Sequence, residues 1–172
     1  MTASGLIQAP QAEWIRRSVV VPMGNLVVSR DLNAVLVTYA LGSCIAVLAW
    51  DPTRKVGGML HFMLPSSAGQ PERAAREPGV FADTGVPLLF ERLYALGTSK
   101  RELKVKVCGG ATLDAGGAQI GQRNELVLRK MFWKVGVLTD AADLGGQHSR
   151  TVRLHLDTGN AVVTSNGMER PL

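Results

Sequence analysis

Two cysteines and three histidines carry the soft nucleophiles and bases in a chain of 172 residues. Cys44 ends the tetrapeptide Leu41-Gly42-Ser43-Cys44 and heads the apolar run CIAVLAW, while His61 sits inside MLHFML. A thiol and an imidazole within reach can share a proton, which is what a cysteine nucleophile requires. If the two runs form one hairpin with Pro52 and Thr53 as its loop, Cys44 falls directly opposite His61. Opposed side chains share a face, with Cβ atoms about 4.5–5.5 Å apart, whereas a slip of one residue sends them to opposite faces. Thr38 lies six residues before Cys44, across the turn YALGS. Its hydroxyl could return beside the hairpin and accept a bond from the imidazole, fixing the tautomer as the third group of a triad does.

Each of the three also has a plain structural reading: Cys44 as a buried core thiol, His61 as a half-buried strand residue, and Thr38 as a β-branched strand former. Cys108, at the end of LKVKVC, reads as core packing, or with Gly109-Gly110 as the rim of a site. His148 and His155 read as surface residues. The histidines and cysteines lack clustered metal-ligand spacing, so neither metal nor cofactor is expected. Asn124 reads as an N-cap, with a place bordering the active site for Arg123 and Asn124 as the alternative. Trp14, Trp50 and Trp133 read as packing residues, and the glycine pairs at 109–110 and 145–146 as turns needing positive φ.

These residues must be positioned by short elements. NLVVS, AVLVTYA, CIAVLAW, MLHFML, LKVKVC, VGVLTDA, TVRLHLD and NAVVTS read as strands. DPTRKVGG is a strong turn signal, RDLN a second turn, and DTGN joins the last two strands as a hairpin. Val86, Leu89, Phe90 and Leu93 fall at helical spacing between Asp83 and Leu96, closed by Gly97. A second helix runs from Asn124 to Val135, with Leu128, Met131, Phe132 and Val135 as its buried stripe. Ser66–Gly79 reads as a polar surface loop, and residues 1–17 as a loosely ordered lead-in to one domain over 18–172. Helices and strands do not alternate regularly. The expected fold is therefore α+β, a β-sandwich of mostly antiparallel strands flanked by two main helices.

Composition narrows the function. Hydrophobic residues make up 46% and charged residues 19%, enough for a sizeable core. No apolar run approaches the length of a membrane span, and the first residues show no signal-peptide order, so a cytoplasmic protein without membrane insertion is expected. Two cysteines do not make a disulfide framework. The net charge is +5, but the cations are scattered and aromatics stand at 5%, which disfavours nucleic acid and leaves a solvated surface or an acidic protein partner.

The run TYALGSCIAVLAWDPTRKVGGMLHFMLP resembles the CheD family of chemoreceptor glutamine deamidases. LGSC, the turn containing Asp51, Gly57-Gly58 and His61-Phe62-Met63-Leu64-Pro65 carry the likeness. FADTGVPLLFERL, VCGGA, IGQRN and DLGGQHSRTVRLHLDTGNAVV extend it over residues 18–165. Two details depart from the family pattern: His148-Ser149 before Arg150, where a glycine often precedes the arginine, and the length of Ser66–Gly79.

The resemblance implies a Cys–His–Thr triad at Cys44, His61 and Thr38. It implies deamidation of receptor glutamines through a thioester, with a related glutamyl methylesterase activity. The oxyanion would need backbone donors, for which Gly42, Ser43 and Cys44 are the candidates. Chemoreceptor cytoplasmic helices are the implied substrate, and a CheC-type phosphatase an implied partner. Two other readings stay open on residue types alone: a binding module that docks the phosphatase or the receptor with catalysis secondary, and a cysteine protease.

Overall fold

The computed structural model describes residues 18–113 and 119–172. Ten strands form two five-stranded sheets. One has the order β1 (Ser18–Val20), β3 (Val35–Leu41), β8 (Arg150–His155), β9 (Ala161–Ser165), β10 (Met168–Pro171). The other has the order β2 (Asn25–Ser29), β5 (Val56–Phe62), β4 (Ile45–Asp51), β6 (Lys104–Gly109), β7 (Ala141–Leu144). Pairing is antiparallel except for β1 with β3 and β6 with β7. Among the described residues three helices, α1 (Pro71–Arg76), α2 (Ala82–Ala95) and α3 (Ile120–Val135), complete an α+β sandwich. No helix among the described residues is long and apolar enough to cross a membrane.

Strand alternation divides the core in two. Ile45, Val47, Ala49, Leu60 and Phe62 face outward from the second sheet and pack under Val86, Leu89 and Leu93 of α2 and Leu128 and Phe132 of α3. Ala46, Leu48, Met59 and Cys108 face inward, against Leu36, Val152, Leu154 and Val163 of the first sheet. The second sheet is therefore buried on both faces, which explains why β5 reads as seven consecutive buried residues.

The β4–β5 hairpin departs from the expected register. Asp51 pairs with Val56 and Ala46 with His61, so the loop is Pro52–Lys55 and not Pro52-Thr53. The buried Asp51 carboxylate is the cause. Its Oδ1 accepts from the backbone N–H groups of Thr53 (2.8 Å) and Arg54 (3.0 Å), and its main-chain carbonyl accepts from Lys55 N–H at 2.9 Å. Lys55 takes the left-handed conformation, φ 55°, that closes such a turn. The shift is by two residues, so it preserves the face. Gly57 and Gly58 lie within β5 and not in the turn. A Cβ on either would press on Leu156 or on Val28 and Leu89.

Other expectations are corrected. Ser66–Gly79 is not all loop, since it contains α1 and the start of a 3-10 turn, Pro78–Val80. VGVLTDA is the helix end and its exit, with the strand beginning only at Ala141. β1 and β10 were not expected; both are edge strands, and neither shows buried alternation. Trp50 does pack, donating Nε1–H to the Leu156 carbonyl at 3.0 Å, but Trp133 is 88% exposed. Trp14 and the lead-in at 1–17 lie outside the described residues.

Candidate active site

The chain passes between the two sheets twice at one corner of the sandwich. Val21–Gly24 joins β1 to β2, and Gly42-Ser43-Cys44 joins β3 to β4. A bulge between Thr38 and Leu41, with Ala40 at φ 54°, bends β3 toward the second crossing. Cys44 stands on that crossing, half-buried, packed at the edge of the inter-sheet core.

Thr38 and His61 approach from different sheets. Each shares the inward face of its strand, Thr38 with Leu36 on β3 and His61 with Met59 on β5. Thr38 Oγ1 lies 2.7 Å from His61 Nδ1 and 2.8 Å from the Val21 carbonyl oxygen. A hydroxyl has one proton, and the carbonyl can only accept. Thr38 therefore donates to Val21 and accepts from Nδ1–H of His61. This fixes the tautomer and leaves Nε2 with its lone pair free. Nε2 is buried and has no hydrogen-bond partner among the described residues. The third group thus reaches His61 from the opposite sheet, and not from beside the hairpin.

Cys44 lies two residues before Ala46, the residue paired with His61, and so on the same face of the hairpin. Its thiol donates to Met23 Sδ at 3.9 Å and not to His61. Burial lowers the His61 pKa to about 4 and raises that of Cys44, an effect opposed in part by the Cys44 backbone N–H. At neutral pH the pair is a thiol and an uncharged imidazole, and not an ion pair. The second thiol differs. Cys108 is fully buried in the inter-sheet core, and burial, then the charge of Asp143, pushes its pKa to about 12.

The crossing that carries Cys44 is held on three consecutive carbonyls. Ala111 N–H donates to Gly42 O and Gly110 N–H to Cys44 O, both at 2.8 Å. The Asn124 side chain donates to Ser43 O and to Met63 O, each at 2.9 Å. Gly109 and Gly121 permit this approach, since a Cβ at either would collide with the carbonyl of Cys44 or of Gly110 and Ala111. Among the described residues, the N–H groups of Ser43 and Cys44 donate to no backbone carbonyl. Gly42 contributes a buried bend and an accepted bond.

Asn124 is not the N-cap. The helix begins at Ile120, and Asn124 is fully buried in its second turn. It shares a face with Gly121, Leu128 and Phe132. A polar residue on an apolar stripe is the signal by which sequence could have marked it. Met23 and the Val21 carbonyl had no such signal. His148 contributes only its carbonyl, to the Arg150 guanidinium at 3.1 Å.

Comparison with known proteins bears on this corner. Residues 63–165 match the family model described as CheD chemotactic sensory transduction. The chain is 53% identical over 156 residues to a probable chemoreceptor glutamine deamidase CheD 2 of Anaeromyxobacter dehalogenans, covering 90% of this chain and 98% of the relative. The chain belongs to the CheD family. A probable chemoreceptor glutamine deamidase CheD 1 of Syntrophus aciditrophicus is 50% identical over 151 residues, covering 87% of this chain and 94% of its own. The chemoreceptor glutamine deamidase CheD of Thermotoga maritima is 38% identical over 149 residues, covering 86% and 92%. The CheD model match begins at Met63, beyond Thr38, Cys44 and His61.

Proposed function

We propose that this protein hydrolyses glutamine side chains of chemoreceptors to glutamate, with Cys44 as nucleophile, His61 as base and acid, and Thr38 as the group that orients His61. The observation that carries the reading is the bond between Thr38 and His61 Nδ1, which leaves a bare, neutral Nε2 on the face that Cys44 shares. The names of the CheD relatives supply the substrate class.

The chemistry starts from the neutral pair. The thiol turns from Met23 to Nε2, and the sulfur attacks the glutamine amide carbon as Nε2 takes the proton. The oxyanion faces the N–H groups at Ser43 and Cys44. The C–N bond breaks, the imidazolium gives its proton to the departing NH₂, and ammonia leaves a thioester. His61 then takes a proton from water, the hydroxide attacks the thioester carbon, and the thiolate departs and is reprotonated. The products are glutamate and one ammonia for each water consumed. A glutamyl methyl ester would follow the same path and release methanol. Receptor cytoplasmic helices as substrate place the protein in the cytoplasm, and a CheC-type phosphatase is the further partner that the resemblance implies.

Acid-quenching the enzyme early in turnover with a glutamine-containing receptor peptide tests the mechanism. Intact mass should show a peptide adduct lacking ammonia on Cys44, absent from Cys44→Ala. Steady ammonia release by Cys44→Ala would refute it.

A further inference from the structure

A groove of about 400 Å³ lies next to Cys44, with Met23 between them. Met23, whose sulfur touches the Cys44 thiol, lines it together with Met63. Leu26 and Val80 continue the apolar wall to Leu88 on α2. Three arginines stand along it, Arg73 and Arg76 from α1 and Arg92 from α2. Arg73 is engaged, its Nε 3.0 Å from Glu77 and its guanidinium over the Phe81 ring. Arg76 and Arg92 are exposed and have no ion-pair partner among the described residues. The groove therefore joins an apolar wall to two guanidinium groups unpaired among the described residues, and its lining includes Met23, which touches the Cys44 thiol.

That combination selects a ligand. An apolar wall with a cationic edge fits an amphipathic helix bearing carboxylates, which guanidinium groups bind with paired hydrogen bonds. On a helix, residues three, four and seven positions from a given side chain share its face. A glutamine delivered to Cys44 from a helix lying in the groove brings those neighbours past Arg76 and Arg92. We propose that this groove docks the receptor helix around its target glutamine, and that Arg76 and Arg92 select targets with acidic side chains on the same face within two helical turns. The proposal rests on the deamidase reading for the identity of the helix. Its chemistry rests on the groove.

The test separates the two. A fluorescein-labelled receptor helical fragment with acidic residues flanking its glutamine is titrated with the Cys44→Ala protein, so that no turnover intervenes. Arg76→Glu/Arg92→Glu should raise Kd by about tenfold or more, and salt should weaken wild-type-groove binding more than binding to the reversed pair. A fragment with those acids changed to lysine should recover affinity for the reversed pair. The control Arg101→Glu/Lys130→Glu, equal in charge change but outside the groove, should bind like its parent. In the Cys44-bearing background, a wild-type rate of Cys44 alkylation by iodoacetamide verifies that the reversed pair retains its fold. Unchanged affinity in the groove variant, or equal loss in the control, overturns the proposal while leaving deamidation to be judged by ammonia release. Binding through Arg76 and Arg92 without conversion by the wild type would sustain the groove and remove the deamidase reading.

Discussion

Burial keeps His61 uncharged, the state that the proposed base needs. A free imidazole with a pKa near 4 is uncharged throughout the physiological range, so deamidation should not fall along an ordinary histidine titration between pH 7 and 5. The same shift couples to stability. The folded pKa lies below the unfolded value, so the folded state binds fewer protons, and stability present above about pH 6.5 is lost as pH falls toward 4. The loss is at most about 3 kcal/mol, read as a falling urea midpoint in wild type and a flatter one in His61→Gln. In the proposed mechanism Thr38 acts through its bond to His61. Thr38→Val should cost about a hundredfold or more in kcat with KM little changed, while Thr38→Ser, which keeps the hydroxyl, should retain most activity. Equal activity in Thr38→Val and wild type would remove Thr38 from the mechanism. The two thiols should separate on iodoacetamide treatment. Half-exposed Cys44 should react in the native protein, and Cys108 only after unfolding.

The element that matters most is the three-residue crossing from β3 to β4. Its carbonyls are tied to the Gly109–Ala111 segment and to Asn124 on α3, so Cys44, the proposed nucleophile, is located by elements far from it in sequence. Asn124→Ala should destabilise the fold by about 1–3 kcal/mol, because two part-buried carbonyls lose their donor. It should also lower kcat, since the loop that carries Cys44 is released; thermal unfolding and kinetics read the two effects separately. Much at this scale was legible. The spacing of Val86, Leu89, Phe90 and Leu93 marked α2, and DTGN marked the β8–β9 turn. The hairpin register was not, because it depends on which backbone N–H groups donate to the buried Asp51 carboxylate. Parity survived the error, so Cys44 and His61 still share a face. Asn124 was read as a cap because an asparagine ahead of a helical stripe fits a cap equally well. Only the turn before it, with Gly121 against Gly110 and Ala111, shows the helix already under way.

At the scale of the molecule, two sheets and a helical layer meet so that one corner gathers two of the inter-sheet crossings, β1 to β2 and β3 to β4. Composition and strand pattern led to the α+β sandwich. They could not assign strands to sheets, and so placed Thr38 beside the hairpin when it stands across the inter-sheet core. Edge strands β1 and β10 escaped notice because they bury no alternating face. The basic charge, diffuse in sequence, leaves two arginines without an ion-pair partner among the described residues along a groove whose lining includes Met23, the residue in contact with the Cys44 thiol. The central claim is that this corner converts receptor glutamine to glutamate through Cys44. Peptide-mapping mass spectrometry of a receptor cytoplasmic fragment, after incubation with wild type and with Cys44→Ala, tests it most directly. The expected result is a gain of about one mass unit, from replacing NH₂ by OH, at particular glutamines with the wild type alone. The same gain with Cys44→Ala, or none with the wild type, would contradict it.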